Sequence, residues 1–368
     1  MAKHSGGAAI KSTMPSVCAK GAALVEMTSG RLLYGKNESL RLPMASTTKI
    51  MTGLLACESG RLGETVTVPA AALRVEGSSM GLQENERITL RDLTYGLMLE
   101  SGNDAANAIA IALAGSTSAF AAKMNLRAES LGLSGTHFVT PSGLDAADHY
   151  TTALDLARLG AYAMQNADFA AIVSTQKIRV TYDGKSNGRL LVNHNRMLSL
   201  YDGAVGIKTG FTKKCGRCLV TCAKKDGVCL VVCTLNDSDD WDDHKKLLDY
   251  GFSLLKSEKL LQSVAPKVTA NVVGGTADTV ALQYNTQVTA ALRDGEIKQV
   301  RSEVDMERFV YAPVKKGQKL GELTFRLGSA TVATADLTAV RDVPAQQKPL
   351  GFWGGIWHFL VWLFGAKG

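Results

Sequence analysis

A mixed α/β (α+β) domain followed by a small all-β domain is the fold class the sequence predicts, and three observations predict it. Between Ala22 and about Leu261, short apolar strands alternate with alanine-rich stretches of helical period. Beyond Leu261, short β-branched runs recur between turn residues with no helical pattern, which predicts a small sandwich. The 368 residues also suffice for two domains and a tail, at about 100–200 residues per domain.

In chain order, residues 1–20 are small and polar and read as a flexible start. Ala22–Glu26 and Arg31–Tyr34 flank Thr28-Ser29-Gly30, a hairpin with a glycine turn. Ile50–Cys57, Leu90–Leu99, Ala105–Leu113, Thr117–Leu131 and Ala153–Met164 carry the helical period. Ile207–Thr209, Cys218–Ala223 and Val228–Leu235 read as strands, the last two joined by Lys225-Asp226-Gly227, and Asp242–Leu255 resumes a helical pattern. The first domain is therefore placed at 21–262. The second, at 263–342, collects Val268–Val273, Thr279–Tyr284, Thr286–Leu292, Ile297–Glu303, Phe309–Pro313, Gly321–Leu327 and Ala330–Ala339. A Pro/Gln linker and an aromatic tail fill 343–368.

Composition narrows the function. Lys+Arg 41 against Asp+Glu 34 leaves +7 with no basic run longer than two, so no nucleic-acid partner is expected. No stretch of 18 uninterrupted apolar residues occurs, and the N-terminus lacks the apolar core of a signal peptide. If the protein is exported, this chain is expected to begin where a signal has been removed. The six histidines form no paired metal-ligand motif. Cys215-x-x-Cys218 is followed by cysteines at spacings of 4, 7 and 4, which repeat no zinc pattern; buried core thiols are favoured over a disulfide or a metal. No metal and no cofactor is expected.

Three short motifs carry chemistry. In Ser46-Thr47-Thr48-Lys49, just under one helical turn puts serine and lysine on one face at the start of an apolar helix. A serine hydroxyl attacks only when a neighbour takes its proton, and a lysine can do so only with its pKa lowered. Alone, the pattern equally describes an N-cap serine and an exposed lysine. Ser101-Gly102-Asn103 joins two apolar helices, either as a plain cap or as a hydroxyl and an amide aimed into a cleft. Lys208-Thr209-Gly210, followed by Phe211, puts a cation, a hydroxyl and close backbone approach at a strand end.

Order and spacing make these three weak motifs one strong one, the set of penicillin-binding proteins and class A β-lactamases. The chain resembles the D-alanyl-D-alanine carboxypeptidases, low-molecular-mass penicillin-binding proteins of the serine-type DD-peptidase family. The likeness includes Ala45–Met51, Gly77–Met80, Leu99–Ala106, His137-Phe138, Gly143–Asp145, Asp202–Thr212, Leu247–Phe252 and Ala312–Gly317. It implies a β-lactamase/DD-peptidase-like catalytic fold. Ser46 would be the acylated nucleophile and Lys49 its general base. Ser101 would relay protons to the leaving amine, and Asn103 would hold Lys49 and the substrate amide. Lys208 would repel a proton from Lys49 and, with Thr209, meet the substrate carboxylate. The N–H groups of Ser46 and Phe211 would form the oxyanion hole beside Gly210. The family often carries an arginine where Asp239-Asp240-Trp241 stands here, so a second carboxylate anchor is in question.

The implied reaction removes the terminal D-alanine from peptidoglycan stem pentapeptides, with β-lactam antibiotics as covalent inhibitors. The rivals are a β-lactamase, for which no clear deacylating Glu-x-x-x-Asn stands between Asn103 and Lys208, and an idle cell-wall-binding scaffold, against which three intact motifs speak. Phe352–Phe364 spans about 20 Å as a helix, too short for a hydrocarbon core of about 30 Å. Its tryptophans and phenylalanines opposite a glycine-rich side fit an in-plane amphipathic anchor over 351–368. The expected location is the extracytoplasmic face of the bacterial cytoplasmic membrane.

Overall fold

In the computed structural model, residues 13–260, 266–284 and 287–346 are described. The chain divides into two compact units, the first running to Glu258 and including Thr289–Gln299, the second comprising Lys259–Val288 and the chain from Val300.

The first unit is built on a five-stranded antiparallel sheet in the order Leu32–Lys36, Gly21–Glu26, Val228–Leu235, Gly216–Lys225, Ala204–Thr212. The run Val228–Leu235 is apolar at nearly every position because the sheet is covered on both faces. Ala23, Val25, Val220, Cys222, Val231 and Cys233 face one core with helices Lys49–Glu58 and Ala153–Ala163. Their sequence neighbours Ala22, Leu24, Leu219, Ala223, Leu230 and Val232 face the other, against helix Asp240–Leu254. Gly160 lets its helix sit on the sheet: a Cβ there would lie 3.0–3.3 Å from Ile207, Val220 and Val231. Thr89, Thr152 and Ser116 accept backbone N–H bonds at three helix starts, which fixes where those helices begin.

The structure departs from the sequence reading in three places. Val17 and Ala19, inside the start read as flexible, are buried, and Lys20 N–H donates to Leu235 and Asn236 carbonyls. The run Thr286–Leu292 was expected in the second domain. Its strand Thr289–Leu292 belongs instead to the first unit, where Glu296 accepts from both Arg31 guanidinium nitrogens at 3.0–3.1 Å. The helix Ala167–Ser174 and the hairpin of Lys177–Tyr182 with Lys185–Val192 went unpredicted: the helix is only eight residues long, and exposed Leu190 and Val192 leave the hairpin without a clean buried alternation.

In the second unit, six strands pair in the order Arg301–Met306, Lys319–Leu327, Ala330–Ala339, Thr279–Gln283, Thr269–Val273, Val310–Tyr311. Alternate residues such as Ala270, Val272, Val280, Leu282, Leu323, Phe325 and Leu337 are buried, the pattern of a sheet with one covered face. The aromatic tail, 351–368, lies outside the described residues. Among the described residues no single helix is long and apolar enough to cross a membrane.

Candidate active site

Ser46 stands on a single 3-10 turn, Ala45–Thr48, that runs directly into the buried helix Lys49–Glu58. The tight turn places Lys49 Nζ 3.0 Å from Ser46 Oγ. The same Nζ donates to Asn103 Oδ1 and to the Ser142 carbonyl, each at 2.7 Å. Lys49 is wholly buried, and burial drives its pKa well below the ordinary lysine value. Repulsion from Lys208 pushes the same way, and Asp104 opposes it more weakly. Lys208 is itself buried, which brings it down to about 7, and its Nζ donates to the Thr209 carbonyl at 3.1 Å.

A cleft of about 310 Å³ opens above this pair, lined by Ser46, Ser78, Ser101, His194, Thr209, Gly210, Phe211, Arg217, Asp240 and Trp241. Thus Ser46, Ser101, Thr209, Gly210 and Phe211 meet at one cleft, Lys49 lies directly behind Ser46, and Asn103 is tied to Lys49. Ser101 holds φ 58, a left-handed conformation uncommon outside glycine and concentrated at functional turns. Strand Ala204–Thr212 is an edge strand whose Gly210 comes so close that a Cβ would lie 3.1 Å from the amide nitrogens of Ser46 and Thr47. Only glycine lets the edge backbone sit against the turn.

Three further residues were missed in sequence. Asp104 is buried and accepts the backbone N–H groups of Met80, Gly81 and Leu82 at 3.0–3.1 Å, ordering the loop that brings Ser78 to the cleft. Its only sequence signal is its place beside Asn103. His149 is buried, and burial lowers it to about 4, so it is neutral at pH 7. Its Nδ1 accepts Val139 N–H at 3.0 Å, which leaves Nε2–H to donate to Thr48 Oγ1 at 2.7 Å. Thr48 Oγ1 donates in turn to the Ala45 carbonyl, bracing the turn that carries Ser46. Arg217 Nη2 lies 2.8 Å from the buried Asp240 carboxylate, with its guanidinium 5.4 Å from the Trp241 ring centre.

One grouping of metal-ligating type occurs among the described residues, Cys18 with Asp239 and Asp243, but Lys246 already supplies a cation to Asp243 at 2.9 Å. None of the three lines the cleft.

The D-alanyl-D-alanine carboxypeptidase family model matches residues 8–239, and that of the penicillin-binding protein 5 C-terminal domain matches 256–345. D-alanyl-D-alanine carboxypeptidase DacF of Bacillus subtilis is 31% identical over 91% of this chain and 87% of its own length. DacC of Escherichia coli is 31% identical over 95% of this chain and 89% of its own. Penicillin-binding protein 5 of Haemophilus influenzae superposes with a TM-score of 0.65 at 27% identity, covering 90% of this chain and 99% of that one. A Streptomyces K15 DD-transpeptidase variant gives 0.62 at 32%, covering 65% of this chain and all of that one. With a serine–lysine pair, a Ser-x-Asn turn and a Lys-Thr-Gly edge strand assembled in a fold of this kind, the chain belongs to the D-alanyl-D-alanine carboxypeptidase family of low-molecular-mass penicillin-binding proteins.

Proposed function

We propose that the D-Ala-D-Ala carboxypeptidase activity of this chain runs through an acyl-Ser46 intermediate formed by the Ser46–Lys49 pair. Neutral Lys49 takes the Ser46 hydroxyl proton as Oγ attacks the carbonyl of the penultimate D-alanine. The backbone N–H groups of Ser46 and Phe211 receive the oxyanion, and Gly210 allows the approach that brings the two together. Lys49 returns that proton through the Ser101 hydroxyl to the departing amine, and free D-alanine leaves with the lysine neutral again. Water then attacks the ester, Lys49 accepts its proton, and Ser46 is released. Asn103 keeps Lys49 aimed at Ser46, Lys208 disfavours the lysine's charge, and Thr209 hydrogen-bonds the substrate carboxylate. Penicillin enters by the same attack and remains as the acyl-enzyme.

The observation that carries this reading is a wholly buried lysine, lowered in pKa, 3.0 Å from a serine oxygen in a cleft. Fluorescent penicillin labelling and D-alanine release from diacetyl-Lys-D-Ala-D-Ala test it. Wild type should label stably and release D-alanine, and Ser46→Ala should do neither while remaining folded. Rapid turnover of the label would point to a β-lactamase, and labelling of the alanine variant would refute the nucleophile.

Peptidoglycan as substrate supports a workplace outside the bacterial cytoplasmic membrane, with residues 351–368 as the membrane-surface anchor. The catalytic machinery is assigned to 21–262, with 263–342 as the β-rich domain and 343–368 as linker and anchor; Thr289–Gln299 is an excursion that returns to the first unit.

A further inference from the structure

We infer that Arg217 grips the free C-terminal carboxylate of the substrate together with Thr209, and that this contact sets the enzyme's preference for a terminal acid over a neutral terminus. The inference rests on the activity and the acyl-Ser46 assignment above.

A peptide ending in D-alanine brings a carboxylate into a cleft, and a carboxylate there needs ionic or hydrogen-bond partners. Among the described residues lining the cleft, the basic side chains are Arg217 and His194. His194 already faces Glu100, with Nε2 3.4 Å from a carboxylate oxygen. Arginine is always charged and presents a planar fork matched to a carboxylate. Lys208 is a poorer anchor. It is buried, only partly charged near pH 7, and its Nζ is turned to the Thr209 carbonyl.

Strand register places Arg217 where it is needed. Phe211 pairs with Arg217 and Thr209 with Leu219, so Thr209, Phe211 and Arg217 share one face of the sheet. Thr209 and Arg217 are diagonal neighbours, about 7–8 Å apart by the usual geometry of such pairs and within reach of a long side chain. Both line the cleft.

Asp240 explains how the arginine is held ready. Its carboxylate, 4% exposed, accepts from Arg217 Nη2 at 2.8 Å and from Trp241 N–H at 3.0 Å. The Trp241 ring packs against the guanidinium. One nitrogen is thereby committed, the plane is oriented, and the remaining N–H donors stay available at a side chain that is 44% exposed. A half-exposed arginine clamped by a buried aspartate is a preorganised carboxylate receptor.

The test compares diacetyl-Lys-D-Ala-D-Ala with the same peptide ending in a carboxamide, using the full chain and its Arg217→Gln and Asp240→Asn variants. Arg217→Gln should lower kcat/KM for the acid by about 10- to 100-fold, the usual effect of losing a charge-assisted hydrogen bond, and leave the amide within about threefold. The ratio of acid to amide should collapse accordingly. Asp240→Asn loosens the clamp but retains the guanidinium, so it should lower the acid-to-amide ratio by less than Arg217→Gln does. Equal losses on both substrates, or no loss on the acid, would overturn the assignment. So would a larger loss of the acid preference in Asp240→Asn than in Arg217→Gln, since the aspartate rather than the guanidinium would then be the discriminating group. Failure of wild type to release D-alanine at all would instead indict the underlying activity, which separates the two.

Discussion

Lys49 and Lys208 are the two side chains whose surroundings most contradict their chemistry, since lysine is rarely buried without a partner. Lys49 has hydrogen-bond acceptors but no carboxylate among its close partners, so its neutral form is favoured and its lone pair can take a proton from Ser46. Lys49→Arg retains a cation that cannot deprotonate, and stopped-flow acylation by a chromogenic β-lactam should fall by orders of magnitude. Lys208 acts on Lys49 at a distance. A neighbouring positive charge lowers the lysine's pKa, so Lys208→Met should raise it again. Acylation requires the neutral base and climbs with pH through the Lys49 titration; in the Met variant that climb should move to higher pH. The quantity to measure is the midpoint of the pH profile rather than its height, because Lys208 Nζ also holds the carbonyl of Thr209, which lines the cleft. An unmoved midpoint would remove Lys208 from the electrostatics of the base.

The elements that carry the site were legible to different degrees. Leu90–Leu99 and Val228–Leu235 are found at the ends that their hydrophobic patterns predict, since both are buried on several sides. The three motifs were readable because each is local: serine and lysine one turn apart, serine and asparagine two apart, lysine, threonine and glycine in a row. Asp104, His149 and Arg217 were not readable, because each works through a partner distant in sequence. Asp104 shows the consequence best, collecting three backbone N–H groups from a loop more than 20 residues earlier. Asp104→Ala strands those donors, at about 1–3 kcal/mol for a buried group left unsatisfied. Thermal melting should record a loss of that order, and acylation should weaken as Ser78 and the Asn103 backbone, bonded at 2.7 Å through the Ser78 carbonyl, lose their positions. A variant with unchanged melting and acylation would reduce the aspartate to a passive cap.

Across the whole chain, the catalytic motifs and the aromatic tail are written in separate stretches. The catalytic motifs lie between Ser46 and Phe211, and the aromatic tail fills 351–368 at the far end of the sequence. Removing 351–368 should therefore leave hydrolysis of a small soluble peptide unchanged and abolish co-sedimentation with liposomes. Each large apolar side chain fully buried at an interface contributes roughly 1.5–3 kcal/mol, so binding of the full chain should survive high salt. Persistent sedimentation of the truncated protein would place the anchor elsewhere.

The seven cysteines give the first unit a built-in clock. Every one falls within it, none is in a disulfide, and five are buried. Burial pushes Cys218 and Cys222 up to about 12 and holds Cys233 well above the ordinary thiol value, so these sulfurs stay protonated and unreactive while the sheet is intact. An alkylating reagent should modify exposed Cys18 first and half-buried Cys229 slowly, and reach the remainder only when the strands separate. Counting adducts by mass against urea concentration would then report how cooperatively the catalytic unit opens, with the cysteine-free second unit silent. In an oxidising compartment the same shielding protects the buried thiols from mispairing and leaves Cys18, ahead of half-buried Cys229, as the position most open to a cross-link with another molecule.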